Sequence, residues 1–370
     1  MEEKIKSVIK QFQVIGDFVK YETITTGHIN NTYLVVVNRN GEDKPYILQR
    51  INTYVFKNPV EVMENIASVT EYIRKKIKDT GVTAKRHVLH YQKTNEGKYY
   101  FEDEEKGFWR CYRYIDNSIT FDNPENLKVI MQAGQAFGEF QCYLADYPVE
   151  TLHIAIPDFH NTNKRFETFK KSIEQNLSGR AIMAQEEISE FLKLEDIACE
   201  LATMQARGDL PTKVTHNDTK CNNVLFDKNT FDHLAVLDLD TVMPGLVAFD
   251  FGDAIRFIAN TANEDEKNVS KVAFDINKYS AFTEGFIKAV GSTLTTLEKE
   301  TMAQGAIAMT VECGIRFLTD FIDGDKYFKV AYPEHNLVRC RTQLALAKDM
   351  IAHFDKMKYV VKHYCDDVEE

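Results

Sequence analysis

No apolar run in the 370-residue sequence approaches the roughly 20 residues that a membrane-spanning helix needs. The opening MEEKIKSVIKQFQV is amphipathic and has no long apolar centre, which argues against a signal peptide. Positive charge is in deficit: 45 Lys and Arg against 56 Asp and Glu leave a formal charge of −11. A chain so charged is expected to bind neither nucleic acid nor an anionic membrane surface, and any polyanionic ligand must be met by local cations and metal ions. The seven cysteines form no C-x-x-C pair and are odd in number, so a zinc or redox motif is not encoded. They read as reduced thiols, which with the missing leader and spans points to the cytoplasm. The signatures G-x-x-x-x-G-K-[ST] and G-x-G-x-x-G are both missing, so no P-loop is present.

What is there is ordinary globular material, 44% hydrophobic and 27% charged, in a chain too long for one compact core. Residues 2–13 suit a short helix. YETITTG (21–27), NTYLVVVN (31–38) and KPYILQRI (44–51) read as strands, with Asn-Arg-Asn-Gly at 38–41 as a turn. Val62, Ile66, Val69, Ile73 and Ile77 then mark one face of a helix over 59–78. HVLHYQ (87–92), KYYFE (98–102) and FWRCYRYI (108–115) return to β character. Beyond them the pattern turns helical, with apolar faces over 125–146, 185–206, 303–322 and 343–360. Short strands at 224–226 and 233–239 interrupt it, and no internal repeat is visible. The fold class expected is α+β, a bilobal protein-kinase-like arrangement. A β-rich, nucleotide-binding N-lobe would span 1–115, and a mainly helical C-lobe with the catalytic loop and acceptor site 116–370.

The chemistry concentrates in VTHNDTKCNNVLF (214–226). An isolated Asn or Asp here would be a turn former. The spacing H-x-D-x-x-x-x-N, formed by His216, Asp218 and Asn223, is that of a phosphotransfer loop. Asp218 is the candidate base for an acceptor hydroxyl. Asn223 and Asp238, the latter ending AVLDLD, offer the oxygens that Mg2+ prefers. In an extended strand Asp238 and Asp240 would share a face, so both are expected to point to one site. His216 reads as structural, packed beneath the loop.

These segments, with the later PGLVAFDFGD (244–253), resemble the aminoglycoside phosphotransferase and choline kinase family over most of the chain. Within it, GHINNTYLV (27–35), YILQRIN (46–52), ECGIRFL (312–318) and YPEHNLVRCRTQ (332–343) are most similar to bacterial kinases acting on N-acetylhexosamines. The resemblance implies an ATP- and Mg2+-dependent enzyme whose acceptor is a small sugar phosphorylated at C1. It also implies that Asp238, not Asp250, holds the metal, although Asp250-Phe251-Gly252 spells the DFG of protein kinases. Asp250 would instead brace the catalytic loop by accepting its N–H groups. The same resemblance names Arg316, Tyr327 and His28 as acceptor-binding residues. The residues alone leave other readings open: Arg316 pairing with Asp320 one turn on, Tyr327 merely packing. Arg339 and Arg341 suit phosphate or a surface ion pair equally.

The nucleotide side departs from the family. Gly27 and Thr32 in TTGHINNTY would fold over the phosphates, or belong to an ordinary hairpin turn. The strand position that is Lys or Arg in most relatives is Gln49, followed by Arg50, and alternation lets only one of the two face the cleft. The backbone near Tyr112 and Tyr114 would form the adenine-binding hinge. Two rival readings remain: a kinase of this fold with another small acceptor (an amino alcohol, an amino acid or an aminoglycoside), and a nucleotide-binding pseudokinase.

Overall fold

A computed structural model describes residues 1–25 and 29–369. Gly27 and His28, both candidates for the cleft, lie outside the described residues.

The chain opens with helix α1 (Glu2–Ile9), shorter than the 2–13 expected. Three antiparallel strands follow, β1 (Asp17–Ile24), β2 (Asn31–Arg39) and β3 (Glu42–Ile51). Asn40 and Gly41 both take positive φ in the turn between β2 and β3, which the Asn-Gly dipeptide permits without side-chain strain. Helix α2 (Pro59–Asp79) begins on proline, whose missing N–H costs nothing at a helix start. The sheet is completed by β4 (Phe101–Glu102) and β5 (Phe108–Arg113), in the order β1-β2-β3-β5-β4. HVLHYQ makes only an isolated bridge, Tyr91 to Tyr112, so the strand expected at 87–92 does not form. Arg74 occupies that segment instead, donating from Nη2 to the Leu89 carbonyl over 3.0 Å.

Period-2 alternation divides the sheet cleanly. Tyr33, Val35, Val37, Leu48, Trp109 and Cys111 pack with Ile5, Val8 and Ile9 of α1 into one buried cluster. Register places Thr32, Gln49 and Arg110 side by side on the other face. Arg50 belongs to the first face, its guanidinium 6.0 Å from the Trp109 ring centre. Of the two candidates on β3, it is Gln49 that meets the cleft.

Past β6 (Ser118–Ile119) the chain is mainly helical: α3 (Leu127–Tyr143), α4 (Thr162–Gln175), α5 (Gln185–Lys193) and α6 (Glu195–Arg207). The continuous face expected over 185–206 breaks at Leu194 into α5 and α6. Four short strands then frame the central loops: β7 (Lys213–Thr215), β8 (Val224–Asp227), β9 (His233–Val236) and β10 (Met243–Gly245). Helices α7 (Val247–Ile258), α8 (Ile276–Val290), α9 (Thr296–Asp323), α10 (His335–Ala352) and α11 (Phe354–Glu369) complete the chain. The stretch 343–360 is likewise two helices, divided at His353.

The main core lies where α3, α7, α8, α9 and α10 meet. Glycine sets the closest approach there. A Cβ on Gly252 would stand 2.2 Å from the Gly305 carbonyl oxygen, and one on Gly305 2.0 Å from that of Ala248. The glycine of the Asp-Phe-Gly triplet is therefore a packing residue between α7 and α9. A second cluster crosses from the β-rich part to the helical part: Val62, Ile66 and Val69 of α2 bury with Val214, Leu239 and Val242. Buried Asn65 of α2 adds hydrogen bonds to the backbone of His153 and Val242. The sheet is thus seated on the same segments that carry the polar loop.

Candidate active site

The loop after β7 is held from below by Asp250, near the start of α7. Its Oδ2 accepts from the His216 N–H and from Gln141 Nε2, both at 2.7 Å, and its Oδ1 from the Asn217 N–H at 2.7 Å. Burial raises the Asp250 pKa, opposed by His216 and by these donors. Thr219 donates its hydroxyl to the Asp250 carbonyl at 2.6 Å, and its N–H to Asp253 Oδ2 at 3.2 Å. His216 is fully buried; its Nε2 donates to the Leu237 carbonyl at 2.7 Å and its Nδ1 accepts from the Asp218 N–H at 3.2 Å. Thr241 and Asn217 add reciprocal side-chain bonds between this loop and the segment after β9. Asn217 itself sits at φ 63°, a left-handed conformation that asparagine tolerates better than most residues. Gly245 of β10 must be glycine, since a Cβ would stand 2.3 Å from Thr215 Oγ1.

This scaffold turns Asp218 outward, with its side chain a quarter exposed. Both of its carboxylate oxygens are engaged. Lys220 Nζ lies 2.8 Å from Oδ1, and Asn223 Nδ2 lies 3.2 Å from Oδ2 while also donating to the Asp218 carbonyl at 2.8 Å. The Asn223 amide nitrogen is therefore spent, and its side-chain oxygen is the atom left to serve as an acceptor. Burial works to lower the Lys220 pKa, but the charge and hydrogen bond of Asp218 outweigh it and hold it raised. The spacing in the sequence had not singled out Lys220.

Asp238 and Asp240 do not sit on a strand, as the alternation argument assumed. β9 ends at Val236, Asp238 is left-handed at φ 55° and ψ 53°, and a short 3-10 turn spans Leu239–Thr241. The carboxylates still influence each other but have different surroundings. Asp240 is buried and gripped by Arg110 of β5: Nη2 donates to Oδ2 at 2.9 Å and Nη1 to Oδ1. Asn30 Nδ2 adds a third bond, at 2.8 Å to Oδ2. Burial alone would raise the Asp240 pKa; Arg110 reverses this and holds it below the ordinary value. Asp238 has no such partner. By surface area it is exposed to the cleft, yet protein surrounds its carboxylate on the remaining sides. The surrounding protein governs its energetics, because it is that volume which excludes water from the charge. Desolvation first, then Asp240 and Asp218, raises the Asp238 pKa above the carboxylate range.

On the sheet face, Arg110 Nε donates to Gln49 Oε1 at 2.9 Å, and Gln49 Nε2 to Thr32 Oγ1 at 3.0 Å. At the proposed hinge the Tyr114 N–H is taken by the Pro45 carbonyl and the Arg113 N–H by that of His90. Tyr112 contributes a ring packed 5.2 Å from Tyr91, and burial raises its hydroxyl pKa.

A second unanticipated group leads from the loop to α9. His160 Nε2 lies 3.3 Å from the Asn217 carbonyl oxygen and Nδ1 2.8 Å from Glu312 Oε1, so both ring nitrogens face acceptors. Thr162 donates to the other Glu312 oxygen at 2.7 Å. One turn on, Arg316 lies 5.7 Å from each of the Phe159 and Phe328 ring centres. It does not pair with Asp320, which instead accepts from the N–H groups of Lys326, Tyr327 and Phe328. The Tyr327 side chain is exposed beside Phe328. Arg339 bonds to the Lys329 carbonyl and Arg341 to Glu187, so neither faces the cleft as a free phosphate ligand.

Among the described residues, no three His, Cys, Asp or Glu side chains gather as a self-sufficient metal centre. The Asn223 oxygen and the Asp238 carboxylate, whose side-chain neighbour is Asp240 and not a cation, are instead a sparse oxygen set. That fits magnesium, which keeps water and substrate phosphate in most of its shell.

The fold is shared with solved enzymes of distant sequence. A microcompartment-associated aminopropanol kinase superposes with a TM-score of 0.63 at 14% identity, covering 95% of this chain and 98% of the other. Spectinomycin phosphotransferase, solved with ADP and its antibiotic, gives 0.57 at 12% identity over 96% and 99%. Choline kinase from Cryptosporidium parvum Iowa II gives 0.54 at 12% identity over 95% of each chain. A family model described as phosphotransferase enzyme family matches residues 20–275, from β1 to the start of α8. That match spans the sheet, the loop after β7 and the Asp238–Asp240 turn together: the chain belongs to the phosphotransferase enzyme (APH) family.

Proposed function

We propose that this phosphotransferase moves the γ-phosphate of ATP to the anomeric hydroxyl of N-acetylglucosamine or N-acetylgalactosamine, giving an α-sugar 1-phosphate. Residues 1–115 would seat the nucleotide, and 116–370 would supply the base and the acceptor site. Asp218 takes the acceptor proton as the new O–P bond forms. An anomeric hydroxyl is more acidic than the other hydroxyls of a sugar, so a carboxylate suffices as its base. Lys220, bonded to Asp218, puts a cation beside the proposed base. Asn223 and Asp238 would hold magnesium, which when bound neutralises phosphate charge. Asp250 and His216 keep the loop in its shape. Thr32 and Gln49 line the nucleotide side with neutral donors and acceptors, and adenine would meet the backbone near Tyr112 and Tyr114 chiefly through carbonyls.

The observation that carries the acceptor assignment is the path from Asp218 to Arg316. The Asn217 carbonyl meets His160, His160 meets Glu312, and Arg316 follows one turn later between two aromatic rings. A guanidinium fork framed by Phe159 and Phe328, with exposed Tyr327 alongside, suits a sugar bearing an amide: donors for the acyl oxygen, apolar faces for the ring. His28, outside the described residues, is proposed as a further acceptor-binding residue on the resemblance alone.

The test is ADP release with ATP, magnesium and a panel of N-acetylglucosamine, N-acetylgalactosamine, glucose, galactose, choline, homoserine and kanamycin, with phosphorus NMR of the product. Turnover of the N-acetyl sugars with phosphate on C1 is expected. Turnover confined to another acceptor would retain Asp218 and remove the sugar assignment. No turnover at all, with nucleotide still bound, would favour a pseudokinase.

A further inference from the structure

Beside the loop after β7 lies a polar cavity of about 160 Å³, between the end of α7, the turn that follows it and α10. A single water needs only about 10–15 Å³, so the space is more than a solvation site. Its walls are tied to the loop at three points. Asp253 accepts from the Thr219 N–H and, through its other oxygen, from Arg256 Nε and Nη2. The Phe257 ring has Lys220 Nζ 5.3 Å from its centre, the same ammonium that lies 2.8 Å from Asp218. Asn222 donates to Asp122 at 2.9 Å, next to Asn123 of the cavity.

The lining selects by chemistry. Arg256 is committed to Asp253 and, at 3.0 Å, to Glu264, so the cavity holds no spare cation for a phosphate or a carboxylate. Two cations already lie on the Phe257 ring, Lys220 and Arg256, the latter at 3.8 Å, so that ring is no seat for an ammonium. What remains is four carboxamides: Asn123, Asn260, Asn263 and Gln343. Gln343 of α10 is 1% exposed, with its stem seated against Gly314 of α9. Its Oε1 is buried and finds no donor among the described residues. Such an acceptor costs stability unless something meets it. Asn260 Oδ1 accepts from the Ala262 N–H at 3.0 Å, which leaves Nδ2 as its donor. An acceptor and a donor lining one space match a hydroxyl, which is both.

We propose that this cavity is the specificity subsite of the acceptor. It receives uncharged hydroxyl groups remote from the one that is phosphorylated, and Gln343 is the residue that reads them. The inference rests on the sugar reading above and adds to it the residues that inspect the far side of the sugar.

The experiment is steady-state kinetics of the full chain with ATP, magnesium and N-acetylglucosamine or its analogues lacking the hydroxyl at C3, C4 or C6. Wild type and Q343M are compared, with thermal unfolding alongside. Methionine matches glutamine in length and removes the unmet oxygen, so Q343M is expected to melt no lower than wild type. In wild type at least one analogue is expected to have a kcat/KM at least tenfold below that of N-acetylglucosamine. In Q343M that gap is expected to close to within threefold, with ATP KM unchanged. A merely structural role would lower sugar and analogues in the same proportion. Ratios within twofold of wild type for all three analogues therefore overturn the proposal and leave a cavity for water only. So would a wild type indifferent to all three hydroxyls, or a Q343M whose ATP KM rises as much as its acceptor KM. Should Q343M not fold, A262L decides by filling the cavity from the turn. A tenfold rise in acceptor KM with ATP KM held supports the subsite, and an unchanged acceptor KM overturns it. A wild type that turns over no N-acetyl sugar would overturn the sugar reading and this inference with it; an active wild type with unchanged ratios overturns the inference alone.

Discussion

Lys220 Nζ and Asp218 Oδ1 are 2.8 Å apart, on a loop whose backbone is tied down on both sides of Asp218. The candidate base and the nearest cation are therefore positioned as one unit. D218N is expected to lower kcat by roughly 10²- to 10⁴-fold, the range of a lost general base, while ATP still binds. K220M should lower kcat with little change in acceptor KM, because its charge matters most as the phosphoryl group is transferred. Steady-state kinetics on both variants checks the pair, and an unchanged kcat in D218N would remove Asp218 from the mechanism.

Asp250 accepts from two successive backbone N–H groups of the loop and from Gln141. D250N keeps the shape but turns one acceptor into a donor, which then faces another donor. A stability loss of roughly 1–3 kcal/mol is expected, with kcat reduced as the loop loosens. Urea unfolding measures the first and kinetics the second. A variant with full stability would show that these bonds are replaced by others.

The raised pKa of Asp238 has a definite sign. A carboxyl held above its unfolded value is protonated more readily in the folded chain, so its contribution favours the fold at low pH. That contribution is lost as pH rises from the ordinary carboxylate range through the raised folded value. In metal-free buffer, D238N should therefore flatten the fall in unfolding free energy between mildly acid and alkaline pH. Magnesium with ADP should release protons on binding, measurable by calorimetry in buffers of different ionisation heat. Identical pH profiles for wild type and D238N would contradict this account.

Gly252 and Gly305 let α7 and α9 touch backbone to backbone. G252A places a methyl where a carbonyl oxygen stands 2.2 Å away, and neither helix has a flexible side chain there to yield. Overpacking of this kind costs about 1–3 kcal/mol. Denaturant unfolding should show at least that loss, since α7 also carries Asp250.

Arg316 stands apart from the nucleotide side. R316M is expected to raise the acceptor KM roughly 10- to 100-fold, the value of about 1.5–3 kcal/mol for a charge-assisted hydrogen bond, with ATP KM unchanged. A rise in ATP KM alone would move Arg316 out of the acceptor site.

Much of this was legible along the chain. Alternation in β2, β3 and β5, the Asn-Gly turn and the face of α2 all follow from local periodicity, and they appear where the pattern placed them. The loop residues His216, Asp218 and Asn223 are likewise close in sequence, so their spacing alone brings them together. Local pattern failed where a boundary depends on something distant: the breaks at Leu194 and His353 lie inside apolar faces that run on unbroken in sequence. It failed again at Asp238, where the left-handed turn is held by contacts between the loop and the segment after β9. The pairing of Arg110 with Asp240 spans 130 positions, and that of His160 with Glu312 spans 152. Charge sign gives no address over such distances. Composition and periodicity were enough for the lobes and the loop; which cation meets which carboxylate was decided only when the sheet closed onto the helices.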